Sequence, residues 1–338
     1  MPPLTSRRLW VALGLLSAGF AASVAVCASI GSSHHTILEL FRQSTDNDTA
    51  AATILRIRLP RILMAALAGA ALGAAGTVFQ AVLRNPLADP YILGVSGGAA
   101  LGAFLATAAG LPALVPFLPV REAAAFLGAA ATVGSLFLLS SAGGRLLSYP
   151  MLLIGVIMNT VYLSVILLIE TVVDFTRLHG VRLWMIGSIP IEGYGLIGGL
   201  SVLLVLGVVG LSLSGRDLNL MSAGEDAARS LGVTVERTRL VTVLLASLVT
   251  AAVVSVAGPI GFVGLIVPHA ARLVFGPDHR LLVPASALTG AIFLMVADTA
   301  ARTVMAPTEI PVGVITALCG GPFFLWLYRR QRGGAYFE

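Results

Sequence analysis

Ten runs of about twenty apolar residues, repeated from the first dozen residues to the last dozen, dictate what this chain can become. Crossing the hydrocarbon core of a bilayer takes about 20 residues of helix. The runs fall at residues 9–30, 62–83, 92–111, 123–141, 151–173, 195–213, 240–256, 259–275, 282–304 and 312–328. None shows the period-2 alternation of a barrel strand, and a bilayer core admits only helices or closed barrels, so each run is expected to be a helix. The eighth is short and broken by Pro268. Only 11% of the 338 residues are charged and the mean hydropathy is +0.95, whereas a soluble domain is roughly a quarter charged. The expected fold is all-α and integral to the membrane, one transmembrane domain over residues 1–338.

The first run follows Arg7 and Arg8, as a cleaved signal would. It is long for a signal core and further spans follow, so it reads as a retained helix. Cys27 and Cys319 fall in apolar runs and read as two buried thiols with no role. All 21 basic residues are arginine, and lysine is absent. A GxxxxGK[ST] loop needs its lysine to reach the β- and γ-phosphates, so ATP-driven work would need an ATPase in another subunit. The net charge of +5 comes from arginines that suit helix ends and lipid headgroups better than nucleic acid. With ten spans both termini share one side. Placing them inside puts thirteen arginines in the cytoplasm and eight outside, so the positive-inside rule favours cytoplasmic termini. Four of the outer eight, Arg56, Arg58, Arg61 and Arg302, stand at span ends.

Gly69, Gly73 and Gly76 recur at three- and four-residue spacing in the second run, a pattern that lets helix backbones approach closely in lipid. Four connecting segments are unusual. Residues 84–94 (RNPLADPYILG) hold two prolines that stop a helix and a polar Asn85, suiting an ordered constriction at an inner mouth. Residues 218–233 (LNLMSAGEDAARSLGV) carry acid early, base late and a closing glycine, the order that suits helix ends. They read as one or two short helices outside the bilayer, long enough for docking. In residues 258–272 (GPIGFVGLIVPHAAR), His269 reads as a structural hydrogen-bonding group. Adjacent His34 and His35 define no metal site by spacing alone. In residues 298–313 (DTAARTVMAPTEIPVG), Asp298 and Arg302 stand at i and i+4 and are expected to pair. Glu170 and Asp174 share that spacing at a water-exposed outer helix end.

These segments, in register over residues 58–327, resemble one family: the permeases of ABC importers for ferric siderophores, haem and cobalamin. The resemblance rests on RLPR (58–61), QAVLRNPLADPYILG (80–94), SAGEDAARSLGV (222–233), GPIGFVGLIVPHAAR (258–272), and EIPVG with CGGPFFLWL near the end. It implies the type II importer permease fold of ten helices, a homodimer around a central pathway, two cytoplasmic ATPase subunits, an external solute-binding protein and the bacterial inner membrane. It implies that Arg58, Arg61 and Arg302 face outward and pair with carboxylates of the binding protein. Asn85 and Leu87 would form an inner gate. Ser148 and Tyr149 align loosely with a second one, where Tyr149 departs from the small polar residues usual in the family. Ser222, Ala223, Gly224, Glu225, Asp226, Ala227, Ala228, Arg229, Leu231 and Gly232 would belong to the coupling helices that enter each ATPase. Asn159 and Thr160 of span five would line the pathway.

On this reading the chain itself binds no cofactor and no metal, and ATP and Mg belong to the ATPase. Ferric siderophore and cobalamin lead as cargo, with haem and then oxyanions such as molybdate behind. The rival reading is an ion-coupled secondary transporter relaying protons through intramembrane carboxylates such as Asp298. It lacks the paired broken helices of an internal repeat. A membrane enzyme would need a nucleophile, metal cluster or acid–base group gathered in one place, and no segment supplies one.

Overall fold

The computed structural model of the chain describes residues 5–31, 54–111, 119–142, 145–146 and 148–331. Ten apolar helices correspond to the ten runs: α1 (Ser6–Ser29), α2 (Leu59–Val82), α3 (Val95–Ala109), α4 (Val120–Ser140), α5 (Ser148–Val172), α7 (Tyr194–Leu213), α10 (Val235–Ala257), α11 (Val263–Phe275), α12 (His279–Thr303) and α13 (Val312–Gln331). Three shorter helices join them: α6 (Phe175–Trp184), α8 (Gly215–Ala223) and α9 (Glu225–Ser230). Among the described residues seven helices are long and apolar enough to cross a membrane, while α3, α11 and α13 offer shorter apolar stretches.

Local chemistry sets the ends. Pro60 sits in the first turn of α2, where its missing N–H costs nothing. The Asp278 carboxylate caps α12 by accepting from the Arg280 N–H at 3.0 Å. Gly110 closes α3 at φ +62°. α10 stops at Gly258, and the chain turns back into α11 through Phe262, held at φ +68°. α11 begins four residues later than its apolar run, and the carbonyl of its second residue, Gly264, faces Gly76 of α2. Gly76 lies six residues, about 9 Å, before the end of α2. The turn before α11 is therefore buried among the spans rather than lying beyond them.

α2 is the central helix: 83% of its apolar window is buried, with α12, α11, α10 and α7 packed around it. Its small residues make this possible. A Cβ on Gly69 would lie 2.1 Å from the Gly290 carbonyl oxygen, one on Gly73 2.4 Å from that of Ser286, and one on Gly76 2.0 Å from that of Gly264. These distances put α2 backbone to backbone against α12 and α11, which maximises dispersion contact where lipid supplies no hydrophobic drive. By contrast, only 11% of the α5 window is buried.

Two elements have no counterpart among the expected spans. Ser141–Ala142 pairs antiparallel with Arg145–Leu146 as a small hairpin between α4 and α5. Helix α6 lies after the end of α5 with Leu178, Val181 and Trp184 buried on one face, and the Trp184 indole donates to the Val256 carbonyl at 3.3 Å. The pair at Glu170 is also different from a free, water-exposed end, because Arg182 of α6 donates to Glu170 at 2.7 Å.

Candidate functional site

A cavity of about 570 Å³ opens beside α5, within the range that holds small ligands. Its wall is assembled from three segments far apart in sequence. The Asp89 carboxylate accepts from the Tyr91 N–H at 2.8 Å and so caps the short turn Pro90–Leu93, after which Gly94 at φ +87° redirects the chain into α3. Asn159 of α5 donates its amide to the Tyr91 carbonyl at 3.0 Å. The Tyr91 hydroxyl accepts from the Ile260 N–H at 3.1 Å, tying in the turn before α11. Asn159 and Thr160 both line the cavity, together with Asp89, Tyr91, Ser96 and Phe262. Thr160 spends its hydroxyl on its own helix, donating to the Val156 carbonyl at 3.0 Å. Asp89 and Tyr91 fall within residues 84–94, where nothing local marks them as part of a cavity wall.

At the end of the molecule where α2 finishes, Asn85 folds its loop by accepting from the Leu87 N–H at 2.9 Å, leaving the Leu87 side chain half exposed. Tyr149 is well exposed at the start of α5, which Ser148 opens; the Ser148 side chain lies outside the described residues. Arg84, held at φ +49°, donates to the Met221 carbonyl at 2.9 Å and stands 3.6 Å from Glu225. Glu225 also pairs with Arg239 of α10 at 2.6 Å. The C-terminal end of α2 is thus fastened to the α8–α9 pair. One turn earlier, Gln80 donates to the Gly264 carbonyl at 3.3 Å and accepts from Arg272 at 3.1 Å, stitching α2 to α11. α9 stands between Gly224 (φ +142°) and Gly232 (φ +85°). Ser222, Ala223, Asp226, Ala227, Arg229 and Leu231 are exposed on it and its flanks, while Ala228 is buried against Met221, Val233 and Val235.

Arg58, Arg61 and Arg302 do not stand free. Arg58 is 3% exposed and donates to the Ala28 carbonyl at the end of α1 at 2.9 Å. Arg61, 6% exposed, reaches Asp298 at 3.0 Å and Glu309 at 2.7 Å. Arg302, 8% exposed, pairs with Asp298 at 3.1 Å and donates to the Thr299 hydroxyl at 3.2 Å. Asp298 therefore sits between two guanidinium groups, which fix its position by charge-assisted contacts. Glu309 is the accessible member, with its side chain 56% exposed.

Two expectations change. His269 makes no hydrogen bond at Nε2; its ring meets Phe323 edge-on at 6.0 Å. Cys27 is buried but Cys319 is exposed on α13, and both are free thiols. His34 and His35 lie outside the described residues, and among those described no cluster of three metal-ligating side chains occurs.

Known proteins share this architecture and this sequence. The chain is 40% identical over 324 residues to the hemin transport system permease protein HmuU of Yersinia pestis, covering 94% of this chain and 96% of that one. It is 44% identical over 282 residues to the cobalamin import system permease protein BtuC of Halobacterium salinarum, covering 83% and 74%. A solved structure of an inward-facing, metal-chelate-type ABC transporter superposes with a TM-score of 0.82 at 30% identity, covering 95% of this chain and 99% of that one. Residues 15–330 match the FecCD transport family. An all-helical membrane fold, a cavity between helices and this agreement over nearly the whole length lead to one conclusion: the chain is a permease belonging to the FecCD transport family.

Proposed function

We propose that this permease works as a homodimer in the bacterial inner membrane, both termini cytoplasmic, importing a bulky metal chelate delivered by an external binding protein. Two separate ATPase subunits, which hold the ATP and Mg, dock on α8 and α9. The carrying observation is the cavity beside α5. It is walled on one side by Asp89, Tyr91, Asn159 and Thr160, and it adjoins the helix whose surface is least covered in the single chain. A second copy across α5 would complete a central pathway. The relatives that transport hemin and import cobalamin support a chelate as cargo. Ferric siderophore and cobalamin lead, with haem next. The lining contains no arginine or lysine, and a bare oxyanion would need such partners.

Asn85, Leu87, Ser148 and Tyr149 are assigned to the inner gate, supported by the exposed Leu87 and Tyr149 at one end of the cavity helices. Arg58, Arg61 and Arg302 are assigned to binding-protein docking, with Glu309 the carboxylate that an incoming one displaces.

The test is reconstitution of the permease with its ATPase and binding protein in liposomes. Uptake of a ferric siderophore, cobalamin or haem should require ATP and the binding protein; uptake driven by a proton gradient without ATP would overturn the reading. Ala227→Asp, which adds charge on the exposed face of α9, should abolish co-purification of the ATPase. Ala228 is unsuited to that experiment, because a charge there would break the packing of the helix pair itself.

A further inference from the structure

A second concavity, a groove of about 640 Å³, lies between α1, α2, α7 and α12, and shares no lining residue with the cavity beside α5. Its floor is narrow because alanines recur four residues apart on both central helices: Ala66 and Ala70 on α2, Ala287 and Ala291 on α12. Phe20 of α1 and Val208 of α7 stand in its walls. Along α1 it extends from Trp10 to Phe20, about 15 Å of helix rise, which is roughly half the thickness of a bilayer core. The slot has the depth of one leaflet.

One mouth of the groove is basic. Trp10, 71% exposed, Leu213 and Pro284 mark that end. Arg280 precedes Pro284 by four residues on α12 and so continues the groove face of that helix, while Arg216 lies in the first turn of α8, just past the lining residues Ser212 and Leu213 at the end of α7. They are neighbours across the gap, since a Cβ on Gly215 would lie 2.8 Å from the Arg280 backbone nitrogen. Arg216 is exposed and has no carboxylate partner among the described residues. Arg280 gives Nε and Nη2 to Asp278. Arg7 lies one turn before Trp10 and is exposed, while Arg8 donates to the Phe275 carbonyl at 3.0 Å. Against these four arginines stand two carboxylates, Asp278 and Asp217, the latter accepting from Thr238 at 3.4 Å. The mouth keeps a positive excess at headgroup level.

We infer that this groove is a binding site for an anionic phospholipid of the leaflet on the α8–α9 side, one acyl chain lying on the alanine floor and the phosphate held by Arg216 and Arg280. The inference needs only that the chain is embedded in a bilayer, so it stands or falls separately from the identity of the cargo. Two arginines near the surface give an anionic lipid an advantage on the order of tenfold over a zwitterionic one.

Trp10 supplies the reporter. The full-length permease is placed in nanodiscs of phosphatidylcholine with a rising share of phosphatidylglycerol, with bromine on the acyl chains of one lipid or the other. Subtracting the fluorescence of Trp10→Phe isolates the quenching of Trp10. Brominated phosphatidylglycerol should quench it at about a tenfold lower mole fraction than brominated phosphatidylcholine. Arg216→Gln with Arg280→Gln should bring the two lipids to parity while leaving quenching by phosphatidylcholine intact. On the unaltered protein, 1 M salt, where the Debye length is about 3 Å, should shrink the preference as well. Equal quenching by both lipids in the unaltered protein, or a preference that survives both the substitutions and the salt, would overturn the site. Quenching by neither lipid would mean that protein covers the groove, and would overturn it too.

Discussion

Gly69→Ala is the smallest change that should visibly damage this permease. The added methyl would stand 2.1 Å from the Gly290 carbonyl oxygen, 2.7 Å from the Gly290 carbonyl carbon and 2.9 Å from Leu294 Cβ. The first of these is more than about 1 Å inside van der Waals contact. The obstacle is the backbone of α12, which no rotamer change can clear, so α12 must withdraw from α2. Withdrawal also loosens the neighbouring contact of Gly73 with Ser286 and the packing around Leu294. Overpacking of this kind costs about 1–3 kcal/mol, and the higher helix propensity of alanine returns about 0.5–1 kcal/mol. A net loss of about 1 kcal/mol corresponds to a fall in melting temperature of about 2–3 °C in a chain of this length. The comparison is Gly198→Ala on α7, where no atom lies within 4 Å of the new methyl, and which should melt at or slightly above the parent temperature. Thermal unfolding of the purified variants in one detergent reads both. Gly290→Ala should match Gly69→Ala, and the double variant should lose less than the sum, because helices already separated accept the second methyl more easily. If Gly69→Ala melts with Gly198→Ala, the backbone contact between α2 and α12 is not what holds this interface.

Three other outcomes follow from the same geometry. Asp298→Asn leaves Arg61 and Arg302 buried without their shared counter-charge and should cost about 3–5 kcal/mol, measured as a lowered melting temperature; an unchanged melt would show that the arginines repartner freely. Glu309→Gln removes the exposed carboxylate that occupies Arg61 at 2.7 Å, so binding-protein affinity, measured by surface plasmon resonance on reconstituted transporter, should rise several-fold, and a fall would refute docking at Arg61. Hydrogen bonds from Arg280, and then from Asn219, hold the Asp278 carboxyl down at about 2 against an ordinary value of 3.8. A depressed acid stabilises the folded state above its unfolded pKa and loses that contribution as pH falls through its folded one. The stability gap between parent and Asp278→Asn should thus be full at pH 6 and close between pH 4 and 2, as followed by thermal unfolding; a gap constant over that range would exclude the carboxylate charge as its source.

The ten spans could be read because twenty apolar residues in a row have few other fates, and the glycines of α2 could be read as packing because their spacing is that of one helix face. The i, i+4 relation of Asp298 and Arg302 was equally visible. Arg61 meeting the same carboxylate was not, because the two are 237 residues apart and nothing local marks the pairing. That partnership turned Arg61 and Arg302, expected at a free surface, into buried, engaged residues, as the Ala28 carbonyl does for Arg58. Helix α6 escaped for another reason. Leu178, Val181 and Trp184 recur at helical spacing, but Arg177, His179 and Arg182 interleave them, and a search for long apolar runs passes over such a segment. The cavity wall was half legible: Asn159 and Thr160 stand out as polar residues in an apolar span, whereas Tyr91 takes its place only through the partners it finds on α5 and before α11.

The fastening of α2 at both ends bears on how movement crosses the membrane. Its first turn is pinned through Arg61 to Asp298 and Glu309, its end through Arg84 to Met221 and Glu225, and its middle touches α12 with no slack for sliding. A helix held in this way would act as a push-rod rather than a spring, carrying a displacement of α8 and α9 toward the opposite surface with α12 moving alongside it. Signalling between the two faces of this permease would then require no chain of side-chain rearrangements, only the translation or tilt of one stiff unit against the loosely covered α5.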